Sequence, residues 1–326
     1  MYIPPKNIAH FITQQTNANA ITNTDLIQSL WSGYGQLLRC HLEGSDYSSV
    51  ILKHIAPPAT QNHPRGWATD ISHQRKLKSY QVESAWYQDW SSKHHDSCRI
   101  PKLLGINQSS LETSLLLEDL NTAGYPERLN TVSEQSLIAC ITWLANFHAT
   151  MMYHSPETLW EIGTYWHLAT RPDELEVLDD HELKKAAAKI DQALNNCKHQ
   201  TIVHGDAKLA NFCFSEDGSK VAAVDFQYVG GGCGMKDLAY FLGSCLSEKE
   251  CEQRENELLD LYFNEFASAC KNTQIDSAKV EKEWRKLYHF AWADFHRFLK
   301  GWSPGHWKIN SYSERVTKSV INQLNS

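Results

Sequence analysis

The chain lacks the features that mark several large classes of protein. No tract of Lys and Arg occurs in its 326 residues, and its formal net charge is −7 with a pI of about 6.1. A nucleic-acid partner is therefore not expected. Polar residues interrupt the most apolar stretch, 137–153, and no uninterrupted run reaches the length that a bilayer requires. A membrane partner is not expected either.

Signs of secretion are also missing. The nine cysteines are scattered, their number is odd, and none forms a Cys-x-x-Cys pair. The first ten residues, MYIPPKNIAH, lack the apolar core of a signal peptide. Free thiols in a reducing compartment are the simplest interpretation, which predicts a cytoplasmic location.

Two common catalytic signatures are absent as well. No GxxxxGK[ST] sequence occurs, which disfavours a P-loop enzyme, and no HExxH sequence occurs. A metal hydrolase built on His204-x-Asp206 with other histidines therefore stays a minor hypothesis. The hydrophobic content of 42% is ordinary for a globular protein, and the length suffices for a large core in two lobes.

The most informative stretch of the chain is 202–242. A short β-type run leads into Asp206, and Asn211 follows five positions later. A second apolar run ends at Asp225, and a Gly-containing turn, 215–219, separates the two runs. The pattern predicts a hairpin that brings Asp206, Asn211 and Asp225 to one edge.

These three side chains suit phosphoryl transfer from a nucleotide. A carboxylate such as Asp206 orients an acceptor hydroxyl and takes its proton, while an amide oxygen and a second carboxylate hold Mg²⁺ against the phosphates. The spacing of Asn211 and Asp225 matches the kinase pattern, and Mg²⁺ prefers oxygen ligands. Turn and cap roles would explain any one of the three residues, but they do not explain the ordered set.

The motifs HGDxKxxN at 204–211, VDFQ at 224–227 and DLAYFL at 237–242 carry a resemblance. Together they resemble the phosphotransferase superfamily of aminoglycoside and choline kinases, and most of all its ecdysteroid-kinase-like (CHK-kinase-like) branch. The resemblance implies ATP and Mg²⁺ as cofactors and a small-molecule hydroxyl as acceptor. Gln227 and the HGD triplet depart from choline kinases, so choline itself is not the expected acceptor.

The resemblance also implies an α+β, bilobal protein-kinase-like fold. A small N-lobe with an antiparallel sheet plus a helix would span 1–117. A hinge and linker would span 118–130. A larger, mainly helical C-lobe would span 131–326 and carry the acceptor-binding region.

Lys53 and Glu83 are the candidate cofactor-binding pair of the N-lobe. Lys53 lies in an apolar strand, 49–55, where its charge needs an anionic partner. A loop, 57–70, then leads to a predicted helix, 71–90, with Glu83 on its apolar side. The resemblance makes the two an ion pair that holds the α- and β-phosphates. An edge-strand Lys and a solvated Glu are the alternatives.

The first part of the chain gives weaker signals. Residues 1–27 are polar, and the sequence TNTD at 22–25 predicts a cap or turn. Short strands are predicted at 27–30 and 36–42. Gly33 and Gly35 lie between these strands, where a backbone without side chains could approach phosphates closely. A plain hairpin turn is an equal alternative.

Four further residues take roles from the resemblance. The buried strand 115–120 becomes the hinge, where backbone groups of Glu118 and Leu120 pair with adenine. Lys208 lies near the transferred phosphoryl group and joins Asp206 as a catalytic residue. Asp237 braces the loop of Asp206 and is also predicted as a helix N-cap.

Most of the sequence after residue 130 is predicted to be helical. Thr131-x-x-Glu134 predicts a capping box that opens a helix in which His148 is a hydrogen-bonded core residue. A second capping box opens the predicted helix 247–270. The aromatic stripe of the predicted helix 277–300 is expected to be core, or in part the wall of an acceptor pocket.

Three functions remain after the sequence is read. The first is the small-molecule phosphotransferase, and the second is a catalytically weak, pseudokinase-like nucleotide-binding module of the same fold. The metal hydrolase is the third. A steroid-like, sugar or amino-alcohol hydroxyl stays open as acceptor, and aromatic rings would hold a cationic one by cation–π contact.

Overall fold

A computed structural model describes residues 4–30, 33–57, 70–93, 97–109 and 112–326. The N-terminal part is built on a five-stranded antiparallel sheet with the strand order β1-β2-β3-β5-β4. Its strands are β1 (Ala20–Ser29), β2 (Gly35–Glu43), β3 (Ser49–Ile55), β4 (Leu103–Gln108) and β5 (Thr113–Glu118). The order places β3 and β5, the strands of the predicted Lys53 and hinge, side by side.

The two faces of this sheet have different partners. Helix α1 (Lys6–Thr16) packs on one face, and the apolar contacts there join Ile8, Phe11 and Ile12 to Leu38, Val50, Leu52 and Leu116. Because side chains alternate along a strand, Ile51 and Lys53 point to the other face. Helix α2 (Asp70–Ala85) lies on that side, and a π-helix, Trp86–Trp90, continues it.

The predicted cap or turn at 22–25 is wrong, and the predicted strand 27–30 is the end of a longer strand that begins at Ala20. Helix α1 and strand β1 occupy this part of the chain. The helix has no side-chain cap, so burial of its apolar face stabilises it, and pairing along β2 overrides the low β-propensity of Asn and Asp in β1. Of the predicted loop 57–70, residues 58–69 lie outside the described residues.

The C-terminal part is mainly helical and includes two short strand pairs. Its helices are α3 (Glu134–Thr150), α4 (Pro172–Glu176), α5 (His181–Asn195), α6 (Met235–Cys245), α7 (Glu248–Ala269), α8 (Ser277–Trp302) and α9 (Ser311–Asn325). Strand β6 (Thr201–Val203) pairs with β9 (Gly230–Gly232), and β7 (Phe212–Phe214) pairs with β8 (Val221–Ala223). The β7–β8 pair is the predicted hairpin.

The fold class is therefore confirmed: an antiparallel sheet forms the N-terminal part and helices dominate the C-terminal part. The predicted boundaries after residues 117 and 130 stay predictions. One large core cluster fills the helical part and includes Trp143, Phe147, Phe226 and Trp284.

Two of the predicted caps are wrong. Ser133, not Thr131, caps α3, and its hydroxyl accepts from the backbone N–H of Ser136. No capping box forms there, because Glu134 is the first helical residue and not the third; its carboxylate binds Arg254. Gly234, not Asp237, is the N-cap of α6. The predicted box of Ser247 and Glu250 is confirmed at the start of α7.

The aromatic stripe of α8 is core, as expected. Its buried rings are Trp284, Tyr288, Phe290, Trp292, Phe295 and Phe298.

Helix α8 also buries His296, which lies near the charges of Glu314, Lys300 and Asp180. Burial lowers the pKa of His296 from 6.5 to about 4, although the carboxylates of Glu314 and Asp180 oppose this shift. The imidazole is therefore neutral at pH 7.

Candidate functional site

A cavity of about 630 Å³ lies between the sheet and the helical part. Eight of the ten predicted site residues line it: Lys53, Glu83, Glu118, Leu120, Asp206, Lys208, Asn211 and Asp225. They come from a strand, a helix, the β5 connection and two loops that are distant in sequence. The fold thus brings these eight predicted site residues together around one cavity.

Asp206 lies in the loop after β6, and both of its carboxylate oxygens accept hydrogen bonds. Its Oδ2 accepts from Lys208 Nζ at 3.0 Å and from Asn211 Nδ2 at 3.0 Å. Its Oδ1 accepts from the hydroxyl of Tyr240 at 3.1 Å. The carboxylate in turn raises the pKa of Lys208, so that lysine stays charged.

Asn211 and Asp225 each present an oxygen to the cavity. The Asn211 amide nitrogen donates to the Asp206 carbonyl at 2.8 Å and to its carboxylate, which leaves Oδ1 as an acceptor. Asp225 receives hydrogen bonds on Oδ1, and no described residue donates to its Oδ2. An amide oxygen and a carboxylate oxygen fit the preference of Mg²⁺ for hard ligands.

Asp225 combines backbone strain with strong electrostatic stabilisation. Its φ of 70° lies in the left-handed region, which is uncommon for a residue with a side chain and is a feature of functional sites. Burial alone would raise the pKa of its carboxyl group. The charges of Lys53, Lys208 and Lys76 outweigh burial and hold that pKa below its usual range, so the carboxylate is ionised.

Lys53 and Glu83 form the predicted ion pair. Lys53 Nζ lies 2.8 Å from Glu83 Oε1 and 2.7 Å from Oε2, and 3.2 Å from Asp225 Oδ1. Burial alone would lower the pKa of Lys53, but the two carboxylates raise it. A charged ammonium group is therefore fixed at the cavity wall, and both alternatives to the pair are excluded.

Gln227 connects this centre to helix α2, a role that the sequence did not reveal. Its Nε2 donates to Asp225 Oδ1 at 2.5 Å, and its Oε1 accepts from Lys76 Nζ at 2.7 Å. Ser79 also donates to Oε1, at 3.3 Å. The available signal was helical spacing, because Lys76 and Glu83 lie seven positions apart and so share a helix face.

The far end of the cavity offers backbone groups. The Glu118 carboxylate is engaged by Arg99 at 2.6 Å, and the Glu118 amide donates to the Lys102 carbonyl at 2.9 Å. The carbonyl is therefore the backbone group of Glu118 that is proposed to meet a ligand. The amide of Leu120 donates to no described residue, although Leu120 is buried and lines the cavity. A buried donor without a partner calls for an acceptor, and a nucleotide base supplies one.

The two glycines do not join this set. Gly33 has a φ of 75° and Gly35 a φ of 143° in the β1–β2 connection, and neither is among the residues that line the cavity. A Cβ on Gly35 would lie 2.0 Å from the carbonyl oxygen of His54. Strand packing accounts for that glycine, so the plain-turn alternative fits the structure, and the lid role stays a prediction.

Asp237 braces the loop of Asp206, as expected. Its carboxylate accepts from the backbone N–H of His204 at 2.5 Å and of Gly205 at 2.9 Å. It also contacts His148 Nε2 at 3.1 Å, and His148 Nδ1 contacts the Tyr262 hydroxyl at 2.7 Å. The predicted core role of His148 is confirmed.

The structure offers little for the other kinds of site that were considered. Within the described residues, no group of three or more His, Cys, Asp or Glu side chains could hold a metal ion, so the hydrolase hypothesis gains no support. All nine cysteines are free. No helix in the described ranges is long and apolar enough to cross a membrane.

Comparison with known proteins gives one family match and a fold match. A family model described as "Uncharacterized oxidoreductase dhs-27" (DUF1679) matches residues 172–291. This segment is less than half of the chain, and it contains the motifs of Asp206, Asp225 and Asp237. No curated protein matches the chain in sequence.

The solved structure of an amicoumacin kinase in complex with AMP-PNP and Ca²⁺ matches with a TM-score of 0.53 and 11% identity, over 98% of this chain and 94% of that one. A Plasmodium vivax ethanolamine kinase matches with a TM-score of 0.49 and 12% identity, over 92% and 82% of the two chains. A fructosamine-3-kinase-like protein from Haemophilus somnus has a TM-score of 0.47 and 12% identity, over 98% and 97%. The first match confirms the kinase-like fold that the motifs resemble.

Proposed function

We propose that this chain is an ATP- and Mg²⁺-dependent phosphotransferase that phosphorylates a hydroxyl group of a small molecule. The observation that carries the proposal is the convergence of Asp206, Asn211, Asp225 and the Lys53–Glu83 pair on one cavity. The fold match to a kinase whose complex holds AMP-PNP and Ca²⁺ supports it. ATP, rather than another nucleotide, and Mg²⁺ are part of the proposal.

Each group at the nucleotide end has a stated task. Asn211 and Asp225 hold Mg²⁺ through their free oxygens, and Lys53 pairs with the phosphates while Glu83 fixes its position. The Glu118 carbonyl and the Leu120 amide pair with the base edge. When bound, Mg²⁺·ATP supplies the phosphoryl group and neutralises its oxygens. Gly33 and Gly35 cover the phosphates in this proposal.

Asp206 performs the proton transfer at the acceptor end. Its carboxylate orients the acceptor hydroxyl and accepts the proton that is lost as the hydroxyl oxygen bonds to phosphorus and the bond to the ADP oxygen breaks. Lys208, 3.0 Å from Asp206, offers positive charge where the transferred group moves. The chain between Asp225 and Asp237 holds one short strand, β9, which is too little for a platform that binds a protein substrate.

The pseudokinase-like module is the alternative within the same fold. A chain that no longer transfers phosphate need not keep the proton acceptor, both metal-binding side chains and the Lys–Glu pair. This chain keeps all of them in one cavity, which favours the enzyme.

Substitutions of the two aspartates test the proposal. Purified protein is assayed for Mg²⁺·ATP binding by thermal shift and for ATP consumption with a panel of alcohols. Asp206→Asn is expected to lose about 10²- to 10⁴-fold in turnover, because it removes general-base assistance, and to retain nucleotide binding. Asp225→Ala is expected to weaken Mg²⁺·ATP binding.

Glu216→Gln is the matched control, since Glu216 is exposed on the turn of the same β7–β8 hairpin. It should behave like the wild type in both assays. Normal turnover by Asp206→Asn would remove the role assigned to that residue. A wild-type protein that binds Mg²⁺·ATP and consumes none with any alcohol would favour the nucleotide-binding module.

A further inference from the structure

Lys308 lies behind the proposed proton acceptor and forms no salt bridge within the described part of the chain. It belongs to the connection between α8 and α9 and is half-buried. Its Nζ lies 4.7 Å from the ring centre of Tyr240 and 5.5 Å from that of Phe295. No described residue forms an ion pair with it. A desolvated ammonium group without a counter-ion is costly, so its position calls for an anionic partner.

Asp206 separates Lys308 from the nucleotide cavity. The side chains on Asp206 Oδ2, Lys208 and Asn211, line that cavity. Tyr240, which donates to Oδ1, does not line it and carries Lys308 on its ring. Lys308 is therefore on the far side of the carboxylate. An acceptor hydroxyl must approach from that side to attack phosphorus in line with the leaving oxygen.

A wall of tyrosine rings connects the two sides. Tyr228 lines the cavity, and its ring centre is 5.9 Å from that of Tyr165. The Tyr165 ring is 5.7 Å from that of Tyr240, beside which Lys308 lies. Tyr240 itself is buried, so a molecule that reaches from Asp206 towards Lys308 would pack against the half-buried rings of Tyr228 and Tyr165.

The cations along this wall outnumber the carboxylates beside them: Arg75, Arg171 and Lys308 lie there, and the nearby Glu174 is already paired with Arg171 at 3.0 Å. Arg75 donates to the Thr170 carbonyl at 2.6 Å and forms no ion pair with a described carboxylate. Burial and then the nearby Arg171 lower the pKa of Arg75, while Tyr228 opposes the shift. Burial also lowers the pKa of Lys308 to about 8, Asp206 opposes this, and Lys208 adds to it by repulsion. Bringing an anion to the wall would relieve this imbalance.

We infer that the acceptor is an anionic hydroxy compound, with an aromatic or other flat apolar body and a carboxylate or similar acidic group that binds Lys308. The inference rests on the proposed function and names its substrate class. A cationic acceptor would meet Lys208, Lys308 and Arg75. Of the carboxylates near the wall, Asp206 already accepts from three side chains, and Glu174 is paired with Arg171.

Three probes with one skeleton and different charges test this inference. They are 4-(hydroxymethyl)benzoate, benzyl alcohol and 4-(hydroxymethyl)benzylamine. Binding is measured by ligand-observed NMR titration of the full chain saturated with Mg²⁺·AMP-PNP, so that turnover is not required. We expect the benzoate to bind at least about tenfold more tightly than the other two, as one charge–charge contact of about 1.4 kcal/mol predicts. Phosphorylation of the three probes is measured in parallel with ATP.

Variants of Lys308 assign the preference to this side chain. Lys308→Met is expected to reduce benzoate affinity by about tenfold, to leave the alcohol unaffected and to leave Mg²⁺·AMP-PNP binding unchanged. Lys308→Arg should preserve the preference because it keeps the charge. Lys318→Met, at an exposed lysine of α9, is the matched control and should bind all three probes like the wild type.

Several results overturn the inference. They are equal or tighter binding of the alcohol or the amine, no detectable benzoate binding, or a benzoate preference that survives Lys308→Met. Each of these results leaves the proposed function intact if Mg²⁺·AMP-PNP still binds. Failure of the wild type to bind Mg²⁺·AMP-PNP would instead count against the proposed function itself.

Discussion

Gln227 offers the sharpest test of how the proposed metal site is held. Gln227→Leu removes the amide that joins Asp225 to Lys76 and leaves an apolar side chain that is one atom shorter. A hydrogen bond to a charged group contributes about 1.5–3 kcal/mol, and about 1.4 kcal/mol corresponds to a factor of ten. We therefore expect Mg²⁺·AMP-PNP to bind about 10- to 100-fold more weakly.

The assay separates the metal from the nucleotide. Affinity for AMP-PNP is measured by calorimetric titration with Mg²⁺ present and again with EDTA. Because Gln227 acts on Asp225, the loss should occur with Mg²⁺ and should be small in EDTA. Gln192→Leu is the matched control, since Gln192 is exposed on α5. Thermal unfolding establishes that each variant is folded.

Two results would refute this reasoning. One is a Gln227→Leu variant that is folded and binds Mg²⁺·AMP-PNP as the wild type does. The other is an equal loss with and without Mg²⁺, which would mean that Gln227 shapes the nucleotide cavity in general and does not position the Asp225 carboxylate.

Two further predictions follow from buried groups. Asp237→Asn weakens the acceptor of two loop amides, so we expect a lower kcat at an unchanged Kd for Mg²⁺·ATP, and a free energy of unfolding lower by about 1.5–3 kcal/mol in urea titrations. An unchanged kcat would contradict the bracing role. His296 has a folded pKa of about 4 against an ordinary value of 6.5, so the unfolded chain binds more protons between these values. Keeping this imidazole neutral therefore contributes about 3 kcal/mol to the free energy of unfolding. The contribution is complete above pH 6.5 and is lost as the pH falls from 6.5 to 4. Urea unfolding at a series of pH values should show this slope, and His296→Leu should flatten it; an equal slope in the variant would assign the effect to other groups.

The sequence predicted the parts of the site that local spacing controls. Asp206, Asn211 and Asp225 lie on a hairpin whose turn and strands are encoded within some twenty residues, so their convergence could be derived without the rest of the fold. The Lys53–Glu83 pair could be predicted because burial of one charge demands the other. Their shared cavity agrees with both arguments.

What the sequence missed depends on long-range packing. The strand β1 has a composition that favours turns, and it exists because β2 is available to pair with it. Asp237 has the residue type of an N-cap, but the amides of a distant loop compete for its carboxylate. Tyr240 and Lys308 gave no signal, since their relation to Asp206 arises only when α6 and the α8–α9 connection pack together.

The buried thiols of this protein can report where the folded chain opens locally. Eight of its nine cysteines are buried, and burial raises the pKa of Cys40 to about 12, so an alkylating reagent that attacks thiolates meets little target in the folded chain. Cys40 lies in β2 and Cys140 in α3. If the sheet and the helical part open as separate units, the two sites will be alkylated at different rates, and a single common rate would mean that the whole chain opens together.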